Sequence, residues 1–386
     1  MLVNREILRK NKKMRKANRL SLKKIGKERD AVYFDGVKQK ILHPAVIKTK
    51  IGKISQCVGF CDDPFLENYS HSGAGFLDFS QVQFLEVLKK SELRGFGAGF
   101  PVYDKVLAFL SCGLKDKIIL INGVECESGL HNDSELIFHH FDFLDLAAGI
   151  ISNALGLGNG FEKERVFFAA KEFPLSVSAN CCKLVKVPAR YPVGEEHILI
   201  RQIFGQSLAK NDLPAEKGIL VLNVQTVYAI YKLLLGAKID GKFVTLTDVD
   251  EAVSQVVFVK YGENIRKKLV EIFGDKKDIS NVKIFAGIGN FNVEEAGDDV
   301  VFSPFVAFAA MASTSALLSN DFKCKRCGKC QRKCPVKLPL KKIVALKEKN
   351  IFSDLDEFNT EDCLRCGACA FFCSASKTPF EYFQKS

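Results

Sequence analysis

No stretch of this chain is both apolar and uninterrupted enough to be the core of a signal peptide or a membrane span, and none is of low complexity. The nearest candidate, Val301 to Ser319, holds no charged residue. Pro304, four later Ser or Thr residues and many Ala leave it weakly apolar by membrane standards, so it reads as a buried or interface helix and no transmembrane span is expected. The chain also lacks a nucleic-acid recognition module to accompany its positive charge. A disulfide framework is equally unsupported, because no secretory signal precedes its 14 Cys.

Eight of those cysteines fall into two runs of the same form, C-x2-C-x2-C-x3-C: Cys324, Cys327, Cys330 and Cys334, then Cys363, Cys366, Cys369 and Cys373. Three thiolates at every third residue wrap one face of a cubane, and in two-cluster ferredoxins the fourth Cys of each run ligates the other cluster. This assigns Cys324, Cys327, Cys330 and Cys373 to one 4Fe-4S cluster, and Cys363, Cys366, Cys369 and Cys334 to the second. Gly328 and Gly367 follow the second Cys of each run and allow a tight turn there. A zinc site takes paired C-x2-C halves and leaves the third and fourth thiols of each run without a role. The remaining six, Cys57, Cys61, Cys112, Cys126, Cys181 and Cys182, are expected reduced and buried.

With 386 residues, 47% of them hydrophobic, the chain can fill the cores of two to four domains. Charge is uneven. Residues 1–30 carry twelve Lys or Arg against three Asp or Glu, a net of +9 out of the formal +11. This tail is either a solvated, partly helical segment or a device for docking on an anionic membrane face or an acidic partner. Residues 323–350 are also basic, with eleven Lys or Arg and one Glu, which favours the reduced form of a nearby cluster and can steer an acidic electron carrier.

Between the tail and the cysteines the pattern changes twice. Residues 31–80 alternate short apolar runs with turns and read as a small β-rich region. A helix over residues 81–94 leads into the Gly-rich loop Gly95-Phe96-Gly97-Ala98-Gly99-Phe100-Pro101, followed by a second helix around Lys105 to Leu110. Such a loop is either a plain turn or a place where backbone amides reach a phosphate. The apolar strand Lys117 to Ile121 delivers Asn122-Gly123-Val124-Glu125-Cys126-Glu127 at its carboxyl end, where open α/β sheets bind ligands. Further on, Leu146 to Leu155 reads as a helix, Val166 to Lys171 and Leu184 to Val187 as strands, and His197 to Phe204 as a helix. The strand Gly218 to Leu222 then leads into another helix, an alternation that indicates an α/β sheet. From Lys242 two or three strands packed on one helix suggest a compact α+β unit.

The Gly95 loop, the Asn-Gly-Val-Glu-Cys-Glu run from Asn122, the Tyr-Pro-Val-Gly-Glu-Glu run from Tyr191, the Asn-Val-Gln-Thr run from Asn223 and the doubled cysteine motif resemble, in that order, the C subunit of Rnf-type electron-transport complexes. They also resemble the flavin-binding subunit of respiratory complex I. The resemblance covers about residues 82–386. It implies a Rossmann-like FMN/NADH α/β domain over 81–238, a β-grasp domain over 239–300 and a helix plus ferredoxin-like double 4Fe-4S domain over 301–386, after a basic tail over 1–30 and a shortened sandwich-like region over 31–80. It further implies that Gly95, Gly97, Gly99 and Lys105 cradle the FMN phosphate, that Asn122, Glu125, Gly194, Asn223 and Thr226 line the flavin, and that Phe100, Glu127, Glu195 and Glu196 lie where the nicotinamide nucleotide arrives. The catalytic candidates among these are Glu125, Glu127 and Glu195. The chain departs from the family in three places. Its loop is one Gly short of Gly-x-Gly-Gly-Ala-Gly-Phe-Pro, Ser128 stands where Pro is usual, and the Gly-Asp turn of the preceding sandwich is not recognisable.

The function so implied is hydride exchange with NAD(H) at FMN and relay of single electrons through two 4Fe-4S clusters to other electron-transfer subunits or a ferredoxin-type carrier. The chain would sit in the cytoplasm, peripheral at the inner face of the cell membrane. Two rivals remain: a soluble relative serving another acceptor, of the cobalamin-reductase or proline-reductase carrier type, and a non-enzymatic wiring subunit without flavin.

Overall fold

A computed structural model describes residues 56–67, 78–96, 99–158, 163–175, 177–209, 211–274, 281–287, 293–313, 324–349, 357–375, 377 and 379, with the backbone of two short strands before them. The basic tail and most of the sandwich-like region lie outside the described residues. Strands β1 (Tyr33–Phe34) and β2 (Val37–Lys38) form a small antiparallel pair. Strand β3 (Cys57–Cys61) is followed by the single turn α1 (Pro64–Glu67).

Helix α2 (Gln81–Ser91) starts at Ser80, which closes a capping box with Gln83, and buries Phe84 and Leu88. After the Gly-rich loop, α3 (Val102–Leu110) buries Val102, Val106 and Phe109. Then come β4 (Ile118–Asn122), α4 (Asn132–Ala154), β5 (Val166–Ala170), β6 (Lys183–Lys186), α5 (Glu196–Phe204), β7 (Ile219–Asn223) and α6 (Val224–Leu234). The four strands make a parallel sheet in the order β6-β5-β4-β7. Ile119 and Ile121 pack with α2, α3, α4 and α6 on one face, while Leu120 joins α5 residues Leu199 and Ile200 on the other. Burial on both faces is why β4 reads as an unbroken apolar run.

The sequence pattern places the helix before β5 at Leu146 to Leu155; α4 begins fourteen residues earlier, at Asn132, and bends at His140. Its first half, Asn-Asp-Ser-Glu-Leu-Ile-Phe-His-His-Phe-Asp-Phe, is rich in residues of middling helix propensity, and burial of Leu136, Ile137, Phe141 and Phe143 holds it helical instead.

The second sheet contains β8 (Gly241–Asp248), β9 (Val253–Lys260), β10 (Val282–Gly287), β11 (Val293–Ala296) and β12 (Phe308–Ser313), with α7 (Ile265–Phe273) across one face. Its order is β11-β10-β12-β8-β9-β3, with β12 parallel to β8 and the rest of that core antiparallel. Apart from the added edge strand β3, this is a β-grasp arrangement. The expected helix within Val301 to Ser319 is therefore corrected: residues 308–313 are the strand between β10 and β8, and Phe308 to Ala312 are all buried. A strand buried on both faces has no period to betray it and cannot be told from a buried helix by apolarity alone.

The two sheets are stapled together. Phe243 of β8 packs on Tyr228 of α6 at 5.5 Å between ring centres. Asp63, at the start of α1, accepts from Tyr228 Oη at 2.7 Å and from Lys232 Nζ, all three buried. Beyond them α8 (Lys329–Lys333), α9 (Leu340–Glu348) and α10 (Ala368–Phe371) carry the cysteine runs around a small core of Leu338, Leu340 and Ile343.

Candidate functional site

Four segments meet at the carboxyl end of the parallel sheet. Residues Asn122 and Asn223 end β4 and β7 and are direct partners in the ladder. Each asparagine turns its chain. Asn122 Oδ1 accepts from Val124 N at 3.0 Å, and Asn223 Oδ1 caps α6 by accepting from Gln225 N at 3.0 Å. Their amide groups then reach across: Asn122 Nδ2 donates to the Gly194 carbonyl at 3.0 Å, and Asn223 Nδ2 to Asp133 at 2.7 Å.

The Gly-rich loop closes on itself between α2 and α3. Gly95 N donates to the Phe100 carbonyl at 2.8 Å, Gly99 N to the Gly95 carbonyl at 2.9 Å, and Arg94 braces the Gly99 carbonyl at 3.3 Å. Gly99 has φ +70, which favours glycine. The loop is tied to the start of α6, because Phe96 N donates to Thr226 Oγ1 at 3.1 Å. Gly97 lies outside the described residues. Phe100 and Glu127 are half-buried.

The carboxylates differ in what they hold. Glu125 is buried, and its Oε1 accepts from Ser134 N at 2.9 Å and Ser134 Oγ at 2.7 Å, with Lys171 3.5 Å from Oε2. It thereby anchors the start of α4. Glu195 caps α5 through Ile198 N at 3.1 Å and sits 3.3 Å from His197 Nδ1, a hydrogen bond that raises the His197 pKa. Glu196 forms an ion pair with Lys105 at 2.6 Å. Lys105 is thus engaged across the cleft with the Tyr191 loop. Asp133, which no motif singles out, is pushed up to about 7 by burial first and by Glu125 second. Lys242 of β8 is drawn down to about 8 by burial, with Asp133 opposing. Both hide in the sequence: Asp133 belongs to the half of α4 that has no helical period, and Lys242 is a lone cation at the head of an apolar strand.

The cysteines gather in two sets. Cys324, Cys327, Cys330 and Cys373 line one open hollow together with Lys325, Arg326, Lys329, Lys341 and Lys377. Cys366 has Cys363 and Cys334 for neighbours. The two loops repeat one geometry. Arg326 and Arg365 have φ of 50 and 58 and aim their N–H groups at Cys324 Sγ (3.4 Å) and Cys363 Sγ (3.3 Å), and Gly328 and Gly367 follow with φ of 68 and 74. Amides pointed at sulfur suit thiolates, and thiols spread around a hollow suit a cluster of several irons. Among the described residues no three His, Cys, Asp or Glu converge on one point, as zinc needs. Of the other cysteines, Cys181 and Cys182 are buried as expected, whereas Cys57, Cys61 and Cys112 are half-buried and Cys126 is exposed, contrary to expectation.

Tyr191 joins the two regions. It packs against Phe371 at 5.2 Å between rings, and its hydroxyl donates to the Cys366 carbonyl, while Gly194 of the same loop accepts from Asn122 at the carboxyl end of the sheet.

Comparison with known proteins agrees with this geometry. Residues 88–232 match the Nuo51 FMN-binding domain, and residues 316–377 match the 4Fe-4S dicluster domain. The class these matches define is a chain in which a segment similar to the Nuo51 FMN-binding domain is followed by one similar to a 4Fe-4S dicluster domain.

Within that class the chain is similar to the C subunits of ion-translocating oxidoreductase complexes. The C subunit of the ion-translocating oxidoreductase complex of Buchnera aphidicola is 21% identical over 79% of this chain and 65% of its own length. That of Vibrio cholerae is 26% identical over 74% of this chain and 38% of its own. The C subunit of the proton-translocating ferredoxin:NAD(+) oxidoreductase complex of Clostridium ljungdahlii is 24% identical over 74% and 63%. The chain thus spans less than two thirds of each of these relatives. In fold it is similar to a chain of an NAD+-reducing [NiFe]-hydrogenase, with TM-score 0.59, 13% identity, and 84% of this chain and 65% of that one covered. No helix among the described residues is long and apolar enough to cross a membrane.

Proposed function

We propose that this chain exchanges hydride with NAD(H) at a bound FMN and relays single electrons through two 4Fe-4S clusters to partner subunits of a membrane-associated, Rnf-like complex. The observation that carries the reading is the Tyr191 to Glu196 loop, which borders the cleft with Gly194 and Glu196 and touches the cysteine loop with Tyr191. FMN is the group that takes two electrons as hydride and gives them up singly, so its place is between nicotinamide and clusters.

The chain's own residues bind, orient and insulate. Gly95 and Gly99 keep side chains away from the loop between α2 and α3. Asn122, Gly194, Asn223 and Thr226 form the floor. Glu125 is spent on anchoring α4, so its part is to hold the Asn122 loop in place rather than to move a proton. The Lys105–Glu196 pair and Glu195 stand at the opening with Phe100 and Glu127, where a nucleotide would stack. No protein acid or base is required for hydride transfer; orientation and exclusion of water are.

Tyr191 favours the cluster of Cys363, Cys366, Cys369 and Cys334 as the first electron acceptor. The cluster of Cys324, Cys327, Cys330 and Cys373, under its lysine and arginine rim, would then face an acidic partner. Attachment is proposed to be peripheral, at the inner face of the cell membrane. The test is an anaerobic NADH titration of the purified, iron-replete protein after assay of its flavin and iron. Bleaching of both flavin and cluster absorbance supports the path. Iron without flavin, and no response to NADH even after FMN is restored, leaves an electron-wiring subunit instead.

A further inference from the structure

A buried ammonium normally has an anion beside it, because an unpaired charge taken out of water costs several kcal/mol. Lys232 obeys this rule. It is 3% exposed, and Asp63 meets its Nζ directly. Lys242 is equally buried, at 3%, yet among the described residues its Nζ has only the Pro304 carbonyl at 3.3 Å and the face of Phe96 at 4.8 Å. No ion pair within 4.0 Å serves it among those residues, although Asp133 is close enough to act on it through space.

Its surroundings are those of an anion site. Phe96 belongs to the Gly-rich loop, and that loop is pinned to the first turn of α6 through Thr226. The first turn of α6, a helix of eleven residues, contributes Gln225 to a small hollow that Phe96, Gly241 and Lys242 also line. The cation that the motif assigns to phosphate, Lys105, is committed 2.6 Å from Glu196 on the cleft side. The loop itself carries Phe96 among its glycines, a bulkier residue than the family pattern has.

We propose that Lys242, reaching in from the β-grasp sheet, is the cation that binds the phosphate of the flavin mononucleotide. This rests on the reading that FMN occupies the cleft. It makes one residue of the β-grasp domain part of the flavin site, so cofactor binding joins the two sheets. It also sets specificity: the phosphomonoester of FMN is selected over riboflavin, which has no anion for the ammonium.

The test uses the full chain with its clusters intact and its flavin removed, titrated anaerobically with FMN and separately with riboflavin by quenching of flavin fluorescence. Wild type is expected to prefer FMN. Lys242→Met is expected to lose about 10- to 100-fold in FMN affinity, the range of a charge-assisted bond, with riboflavin affinity unchanged. Lys242→Arg should retain most of the preference, and it stands in if the Met variant fails to fold. On wild type, inorganic phosphate should weaken FMN binding and leave riboflavin binding alone. Equal losses for both flavins, no loss in the Met variant, or a wild type indifferent to phosphate would each overturn the proposal while leaving FMN binding in the cleft intact. A wild type that binds neither flavin defeats the flavin reading and this inference together. If Lys242→Met weakens NADH binding instead, the ammonium serves the dinucleotide and the assignment to FMN is wrong.

Discussion

Gly194 is the position at which one added carbon should do most harm. A Cβ there would lie 2.4 Å from the Val124 carbonyl, 2.5 Å from the Glu125 carbonyl and 2.7 Å from the Glu125 carbonyl carbon. Ordinary contact begins at 3.4 Å, so the shortfall is 3.4 − 2.4 = 1.0 Å, and all three obstacles are backbone. Gly194→Ala must therefore push the Tyr191 loop and the Asn122 loop apart by about 1 Å, which stretches the 3.0 Å bond from Asn122 to Gly194. Overpacking costs about 1–3 kcal/mol and the weakened bond about 1 more, giving about 2–4 kcal/mol at the loop contact. An error of that size in the cleft should slow hydride transfer about 100-fold. Stopped-flow bleaching of flavin by NADH reads the rate, and iron content checks that the clusters stay. Gly297→Ala, where a Cβ meets nothing within 4 Å, is the control. Wild-type kinetics in Gly194→Ala would refute both the loop packing and the location of the cleft.

Other outcomes follow from the same structure. Cys334→Ser should remove the cluster of the Cys363 loop and Cys373→Ser the other, each lowering iron from about eight to about four per chain by elemental analysis. Asp133 has a folded pKa of about 7 against an ordinary 3.8, so its contribution to stability is present below pH 3.8 and is lost as pH rises through 7. Asp133→Asn should accordingly flatten the fall in urea midpoint between pH 4 and 7, a slope worth up to about 4 kcal/mol. Asp63→Asn leaves buried Lys232 with only the more distant Asp240, 4.0 Å away, and should cost about 3 kcal/mol, visible as a lower melting temperature. Tyr191→Phe removes the hydroxyl bond to Cys366 and should slow cluster reduction by NADH while leaving reduction by dithionite unchanged.

How far the sequence can be read depends on how local a residue's role is. The cysteine runs, the β4 strand and the Asn122 and Tyr191 loops carry their meaning in spacing and neighbours, and the fold class follows from them. Strand β12 is not legible in this way, since Phe-Ala-Ala-Met-Ala-Ser owes its extended form to β10 and β8 on either side. The first half of α4 escapes for a related reason: its helix depends on burial. Lys242 and Asp133 are the extreme case. Each is an ordinary residue in the chain, and each becomes unusual only when another domain or strand encloses it. The contact of Lys105 is hidden in the same way, because its partner Glu196 is 91 positions away in the chain.

The loop from Tyr191 to Gly194 also acts as a tether of fixed length. Three peptide units separate the residue that touches the cysteine loop from the residue that floors the cleft, so their Cα atoms can never be more than about 11 Å apart. Breathing of the cleft would drag the cysteine loop along with it and open no gap between them. Electron transfer weakens steeply with distance, so on the proposed path a shared anchor of this kind would hold the distance of the first transfer while the cleft moves.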